Sequence, residues 1–197
     1  MRTILLTLLS FALLTPLSGA EEDSVDLVIY GGTSAGLVAG FEAIQLGKSV
    51  IVIEPTDRVG GLTTGGLGQT DIGNKQVIGG LSRNFYERIA KYYSDPSVWK
   101  WQKREQYRDS GQTRTAKGEA SKWTFEPGAA LQVYHDWIKE TGQNVVYGER
   151  LDRESGVLKE GARIVSLTME SGRTFKGKVF LDTTYEGDLL AAAGVSY

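Results

Sequence analysis

Two short apolar runs, residues 25–30 and 49–53, bracket a stretch in which Leu37, Val38, Phe41 and Ile44 recur at helical spacing. Nearly continuous apolar runs of this length predict strands buried on both faces of a parallel sheet. The helix between them is expected to stop at Gly47, and Glu54-Pro55 closes the second strand. Further along, Leu81, Phe85 and Ile89 predict a helix over residues 77–93. Pro127 suits a first helical position, and Leu131, Tyr134 and Ile138 carry an apolar face that ends at Thr141-Gly142. Residues 145–151 read as a third parallel strand. Residues 157–158, 162–170 and 173–178 read as a meander turned at Ser171-Gly172, and 179–181 as a separate buried strand returning to the sheet. Asp188 opens a short final helix, since acidic residues favour a first turn. The predicted fold class is α/β: a Rossmann-like parallel sheet with helices and a β-meander insertion.

The first 20 residues do not belong to that pattern. Arg2 precedes an apolar run over residues 4–17, and Ser18-Gly19-Ala20 precedes Glu21-Glu22-Asp23. A positive start, an apolar stretch and small residues at a cleavage position predict a secretory signal peptide cut after Ala20. The run is interrupted by Thr7, Ser10, Thr15 and Pro16 and is short of the ~20 apolar residues of a membrane span. An exported mature chain over residues 21–197, periplasmic or secreted and without a stable membrane anchor, is therefore expected. Cysteine is absent, so neither disulfides nor thiol chemistry is available. With His135 the sole histidine, no metal site is expected. A net charge of −2 argues against a nucleic-acid partner.

Strand, glycine turn, helix and strand within about 30 residues form the βαβ unit of a dinucleotide-binding fold. In the usual Gly-x-Gly-x-x-Gly turn, small residues let a pyrophosphate reach the unpaired N–H groups of a helix N-terminus. Gly31 and Gly36 fill the first and third positions here, while Thr33 stands at the second. Its Cβ stands where close approach is wanted, but its hydroxyl can itself donate to a phosphate oxygen. Ser34 and Ala35 complete the turn. Glu54 follows Gly31 by 23 residues, near the offset of the carboxylate that accepts ribose hydroxyls and repels a 2′-phosphate. Arg58, Gly60, Gly61 and Leu62 then make a second glycine-rich segment. A nicotinamide enzyme has no need of one; a flavoprotein does, because extended FAD is contacted from both sides.

The chain resembles the glutathione-reductase-like flavoproteins with two dinucleotide-binding domains. Within them it is most similar to the FAD-dependent oxidoreductase family of exported bacterial proteins. Tyr30-Gly31-Gly32-Thr33-Ser34-Ala35-Gly36 matches that family's Tyr-Gly-Gly-Thr-x-Ala-Gly loop, and Glu54, Arg58, Gly60 and Gly61 resemble its Glu-x-x-x-Arg-x-Gly-Gly segment. Trp123 to Pro127 resembles a common strand-to-helix entry. Asp182-Thr183-Thr184-Tyr185-Glu186-Gly187-Asp188 resembles Asp-Ala-Thr-Tyr-Glu-Gly-Asp, with Thr183 where alanine is usual. The resemblance implies an adenine contact through the backbone of Leu151 or its neighbour, and a place for Thr183 at the cofactor crevice. It also implies a substrate domain and a closing strand beyond Tyr197, so the FAD-binding domain over residues 21–197 is expected to be incomplete at its C-terminus.

Residues 100–122 are polar and biased basic, read first as a solvated insertion and alternatively as an anion-binding or substrate-facing loop. His135 sits one place off its helix's apolar stripe and is read as a surface or packed residue rather than a base. The expected function is FAD-dependent oxidoreduction of a small organic substrate by hydride transfer, with no catalytic side chain identified. The alternatives are a NAD-binding dehydrogenase, which the second glycine segment disfavours, and a non-catalytic nucleotide-binding fragment.

Overall fold

The computed structural model describes residues 24–69 and 72–196; the expected leader over residues 1–20 lies outside them. The βαβ unit forms as predicted: β1 (Val25–Tyr30), α1 (Ser34–Gln45) and β2 (Val50–Glu54). Gly47, at φ +73°, follows the helix end. A single four-residue turn, α2 (Leu62–Gly65), occupies the second glycine segment. Then come α3 (Gly80–Tyr92), α4 (Pro127–Thr141), β3 (Asn144–Tyr147), β4 (Val157–Glu160), β5 (Arg163–Thr168), β6 (Thr174–Asp182) and α5 (Asp188–Ala192). No helix among the described residues is long and apolar enough to cross a membrane.

The strands form one sheet in the order β3-β2-β1-β6-β5-β4. Its first four strands pair in parallel, while β6-β5 and β5-β4 are antiparallel. The sheet is therefore mixed, and two expectations need correction. The segments read as a last meander strand and a separate return strand are one nine-residue strand. Its first half pairs with β5 at Thr174–Lys176 and its second half with β1 from Gly177 onward. The pattern changes because the neighbouring strand changes, not because the strand ends; the 179–181 run is also not buried as expected, Val179 being 58% exposed. Second, β3 stops at Tyr147, where Gly148 takes φ +71°.

Successive residues of β1 serve opposite faces, as the period of a strand requires. Ile29 packs with Val52 toward α1. Val28 and Tyr30 join Ile51, Ile53, Leu167, Met169 and Phe175 on the face covered by the meander and α5. On the helical side, an aromatic cluster fixes α1, α3 and α4 together. Phe41 stacks on Trp137 at 4.4 Å, and Phe85 on Tyr134 at 5.0 Å. The break at Gly79-Gly80 shortens α3 at its start, with a 3-10 turn over Lys75–Val77 ahead of it.

Candidate functional site

β1, β2 and β6 run parallel, so their carboxyl ends meet at one edge of the sheet, the place of the ligand crevice in such sheets. Its first wall is the turn from β1 into α1. Gly31 sits at φ +103°, and a Cβ there would come within 2.9 Å of the backbone of Thr183 and Thr184. At Gly36 a Cβ would lie 2.2 Å from the Gly31 carbonyl oxygen and 2.6 Å from Thr183 Oγ1. Both glycines are required by backbone packing: the first turns the chain, the third seats α1 against β1 and β6.

Thr33 is the N-cap of α1. Its hydroxyl donates to the Thr183 carbonyl at 2.8 Å and accepts from Gly36 N at 3.4 Å. The hydroxyl proton is thus engaged across the sheet, not turned outward to a phosphate as the sequence suggested. Thr183 answers from the other side, with Oγ1 2.5 Å from the Gly31 carbonyl oxygen and its N–H donating to Tyr30 O at 2.9 Å. The first-turn N–H groups of α1 have no i−4 carbonyl partner, and Ala35 is exposed beside them.

Glu54 closes one end of the crevice, buried at 7% exposure. Its Oε2 accepts from Gly32 N at 2.8 Å, and its Oε1 from Thr56 N at 2.8 Å and Thr56 Oγ1 at 2.7 Å. A Cβ at Gly32 would lie 2.8 Å from that Oε2. Gly32 is thus a site residue that sequence reasoning passed over, although it stands inside the turn motif.

The second glycine segment forms the opposite wall. Gly60 and Gly61 take φ +92° and +53°, and Gly60 N donates to Gly32 O at 2.7 Å, joining the two glycine loops directly. Ser34 Oγ lies 3.1 Å from Gly60 O and 2.7 Å from Thr63 Oγ1. It also hydrogen-bonds Tyr134, whose phenol burial pushes up to about 12 with the Ser34 bond opposing. Arg58 donates through Nε and Nη2 to Thr64 O at 3.0 and 2.5 Å, bracing the end of α2. Leu62 N donates to Tyr185 Oη at 2.8 Å. Tyr185, 59% exposed, thus clasps the second glycine wall from the β6 side. It lies in the 182–188 segment singled out for its resemblance, which was its available signal.

Leu151 lies just past β3. Its side chain is buried at 1% exposure among the meander residues, and its N–H donates to Tyr30 Oη at 2.9 Å. The early end of β3 explains this, because the chain turns at Gly148 before Leu151 and joins Met169 in an isolated bridge. Asp182 holds Thr184 N and Leu190 N at 2.9 and 2.8 Å, which ties α5 to the end of β6. Asp188 stands at the start of α5 and pairs with Arg153 at 3.3 Å. His135 is exposed on α4.

A family model described as FAD dependent oxidoreductase matches residues 26–197. A curated relative, the vinyl phenol reductase of Lactiplantibacillus plantarum (strain ATCC BAA-793 / NCIMB 8826 / WCFS1), is 28% identical over 144 residues. That match covers 64% of this chain and 29% of the relative, so the chain spans well under half of the relative's length. Among solved structures, L-amino acid deaminase from Proteus vulgaris superposes with a TM-score of 0.56 at 17% identity, over 87% of this chain and 50% of that one. L-proline dehydrogenase from P.horikoshii gives 0.53 at 15% identity, over 89% and 57%. At such identities the likeness is one of fold.

Proposed function

The chain belongs to the FAD dependent oxidoreductase family, and from that we propose that the crevice between its two glycine segments holds the adenosine diphosphate half of FAD. The observation that supports this most is the close packing of the two glycine loops. A Cβ at Gly31, Gly32, Gly36, Gly60 or Gly61 would meet a heavy atom within 2.9 Å, so both loops admit only glycine at these positions and keep their backbone close to the first turn of α1. A pyrophosphate would lie on the first turn of α1, where N–H groups and the helix dipole favour an anion. Gly60, Gly61 and Leu62 would close over it from the far side.

Glu54 would take the ribose. A carboxylate offers about four acceptor positions, and three are used by Gly32 and Thr56. One position on Oε2 remains for a ribose hydroxyl, and rotation of Thr56 Oγ1 would free another. The N–H of Leu151 is taken by Tyr30 Oη, so an adenine contact in this region would use the Leu151 carbonyl or the backbone of a neighbouring residue.

When bound, FAD supplies the redox chemistry, exchanging a hydride with a small organic substrate at its N5. The residues of this chain bind and orient the cofactor. The full-length protein is expected to be yellow, or to turn so with added FAD, and to release FAD on denaturation. A colourless protein that takes up no FAD but binds NAD in calorimetry would overturn the proposal.

A further inference from the structure

Between the end of α3 and the start of α4, residues 93–126 wrap around a cavity of about 300 Å³. Three 3-10 turns, Pro96–Val98, Arg104–Gln106 and Gly111–Thr113, keep most of the segment's charges outward. Of the segment's cations, Lys122 alone is not exposed. Its half-buried ammonium stands 4.0 Å from the Tyr107 ring centroid, 5.5 Å from Tyr93 and 6.0 Å from Trp99. No ion pair includes Lys122 among the described residues.

The nearby carboxylates are otherwise engaged. Asp109 accepts from the N–H and hydroxyl of Thr115 at 3.2 and 2.6 Å, and Glu126 accepts from Tyr93 Oη at 2.9 Å. Burial lowers the pKa of Lys122, with Asp109 opposing, the sign of a cation short of solvent and of a close partner. In the same cavity Thr124 Oγ1 is fully buried without a well-formed hydrogen bond. Its polar neighbour is the Tyr107 phenol, itself pushed up by burial with the Thr124 hydroxyl opposing. A buried unpaired hydroxyl costs free energy unless a partner completes it.

We propose that this cavity binds a monocarboxylate with a flat aromatic body, its carboxylate on Lys122 Nζ and Thr124 Oγ1 and its ring among Tyr93, Trp99 and Tyr107. Lys100 also lines the cavity but is exposed, so one inward cation remains, which suits one negative charge, whereas a phosphate site normally converges several donors. A cationic ligand would meet the Lys122 ammonium. Flat ring walls favour a stacked or edge-on aromatic occupant over an alkyl chain. The size lies at the lower end of small-molecule pockets.

The cavity lies next to the glycine loops proposed to hold the cofactor. Phe125 lines both it and a second cavity of about 250 Å³ bordered by Ser34, Ala35, Thr63 and Tyr134. Phe125 N also donates to Gly68 O at 2.9 Å, just past α2. As the substrate's docking place, the cavity rests on the flavin reading above; as a binding site it does not.

Benzoate is the probe and benzamide its neutral isostere, titrated into the full chain while tryptophan fluorescence is followed, since Trp99 and Trp101 line the cavity. Flavin absorbance is recorded on the same samples. Benzoate is expected to bind saturably and benzamide at least about 10-fold more weakly, the range of one charge-assisted hydrogen bond. Lys122→Met should lose about 10-fold or more in benzoate affinity, and Lys122→Arg should keep most of it. Thr124→Val, which removes only the hydroxyl, should lose a few-fold and serves if Lys122→Met does not fold. Equal binding of benzoate and benzamide, an unchanged affinity in the variants, or no saturable binding would overturn the proposal. A colourless protein that binds benzoate sinks the flavin reading alone; a yellow one that does not bind benzoate sinks this one alone.

Discussion

An added methyl group at Gly36 has nowhere to go: the Gly31 carbonyl, Thr183 Oγ1 and Ile29 Cγ2 surround it. Gly36→Ala must push α1 away from β1, and overpacking of this kind costs ~1–3 kcal/mol. Urea unfolding of the variant should show that loss together with weaker FAD binding. Gly65→Ala is the contrast. It is also helical, with open space around its Cβ position and no positive φ, so its stability should hold or rise slightly. Glu54→Ala removes the acceptor for a ribose hydroxyl and should weaken FAD binding about 10- to 100-fold, from ~1.5–3 kcal/mol for bonds to a charged group. It also strands Gly32 N–H and Thr56 N–H, so the cofactor-free protein should lose ~1–3 kcal/mol as well. Unchanged affinity with lowered stability would leave Glu54 as a loop anchor only. At this scale Gly31, Gly36 and Glu54 were legible because spacing alone defines the turn and the carboxylate after it. The role of the Thr33 hydroxyl was not, because its acceptor lies 150 residues away and nothing local announces it. The closeness of Tyr185 to Leu62 was hidden for the same reason.

The elements divide along similar lines. The βαβ unit and α4 carry their own start and stop signals, and both fell within a few residues of expectation. β6 did not, because one strand serves two kinds of neighbour. Gly177 marks the changeover: a Cβ there would stand 2.7 Å from Val28 Cγ2, where β6 leaves β5 and comes against β1. The 3-10 segments lack periodicity and gave no signal beyond polarity, yet they are anchored. Glu119 accepts from Trp123 Nε1 at 2.7 Å and Ala116 N at 2.8 Å, and pairs with Lys75 at 3.2 Å. Burial alone would raise the Glu119 pKa, but these bonds outweigh it and lower the value. A carboxylate depressed on folding lends stability that is full above its unfolded pKa, ~4.3, and is lost as pH falls through the folded value. Thermal melts below about pH 4 should therefore show the wild type losing stability faster than Glu119→Gln. Parallel curves would mean that Glu119 contributes nothing through its charge.

For the whole molecule, the parallel half of the sheet and its helices were foreseen, while the fusion with the meander into one mixed sheet was not. Cofactor binding offers the broadest test. A ligand held by the folded state alone adds ~2.7 kcal/mol at 100 times its Kd. For a chain of this size that corresponds to a rise in Tm of roughly 5–10 °C. The rise should grow with FAD concentration and be absent with NAD. The proposed export has its own check: intact-mass measurement of the protein recovered outside the cytoplasm should place the new N-terminus at Glu21. A mass that retains residues 1–20 would reject cleavage.

The long-range bond between Thr33 and Thr183 also orders events in time. β1 cannot gain its β6 neighbour, nor the first glycine turn its backing, until residues 177–183 have left the ribosome and folded back. Contacts of such separation form slowly, since chain closure must come before its reward. The crevice then matures only after β6 has joined β1, and the chain before that point has no finished place to capture cofactor. In refolding from urea, FAD should bind in the final phase and leave the earlier rates unchanged. Cofactor supply would govern how long the finished protein lasts, and not how fast it is made.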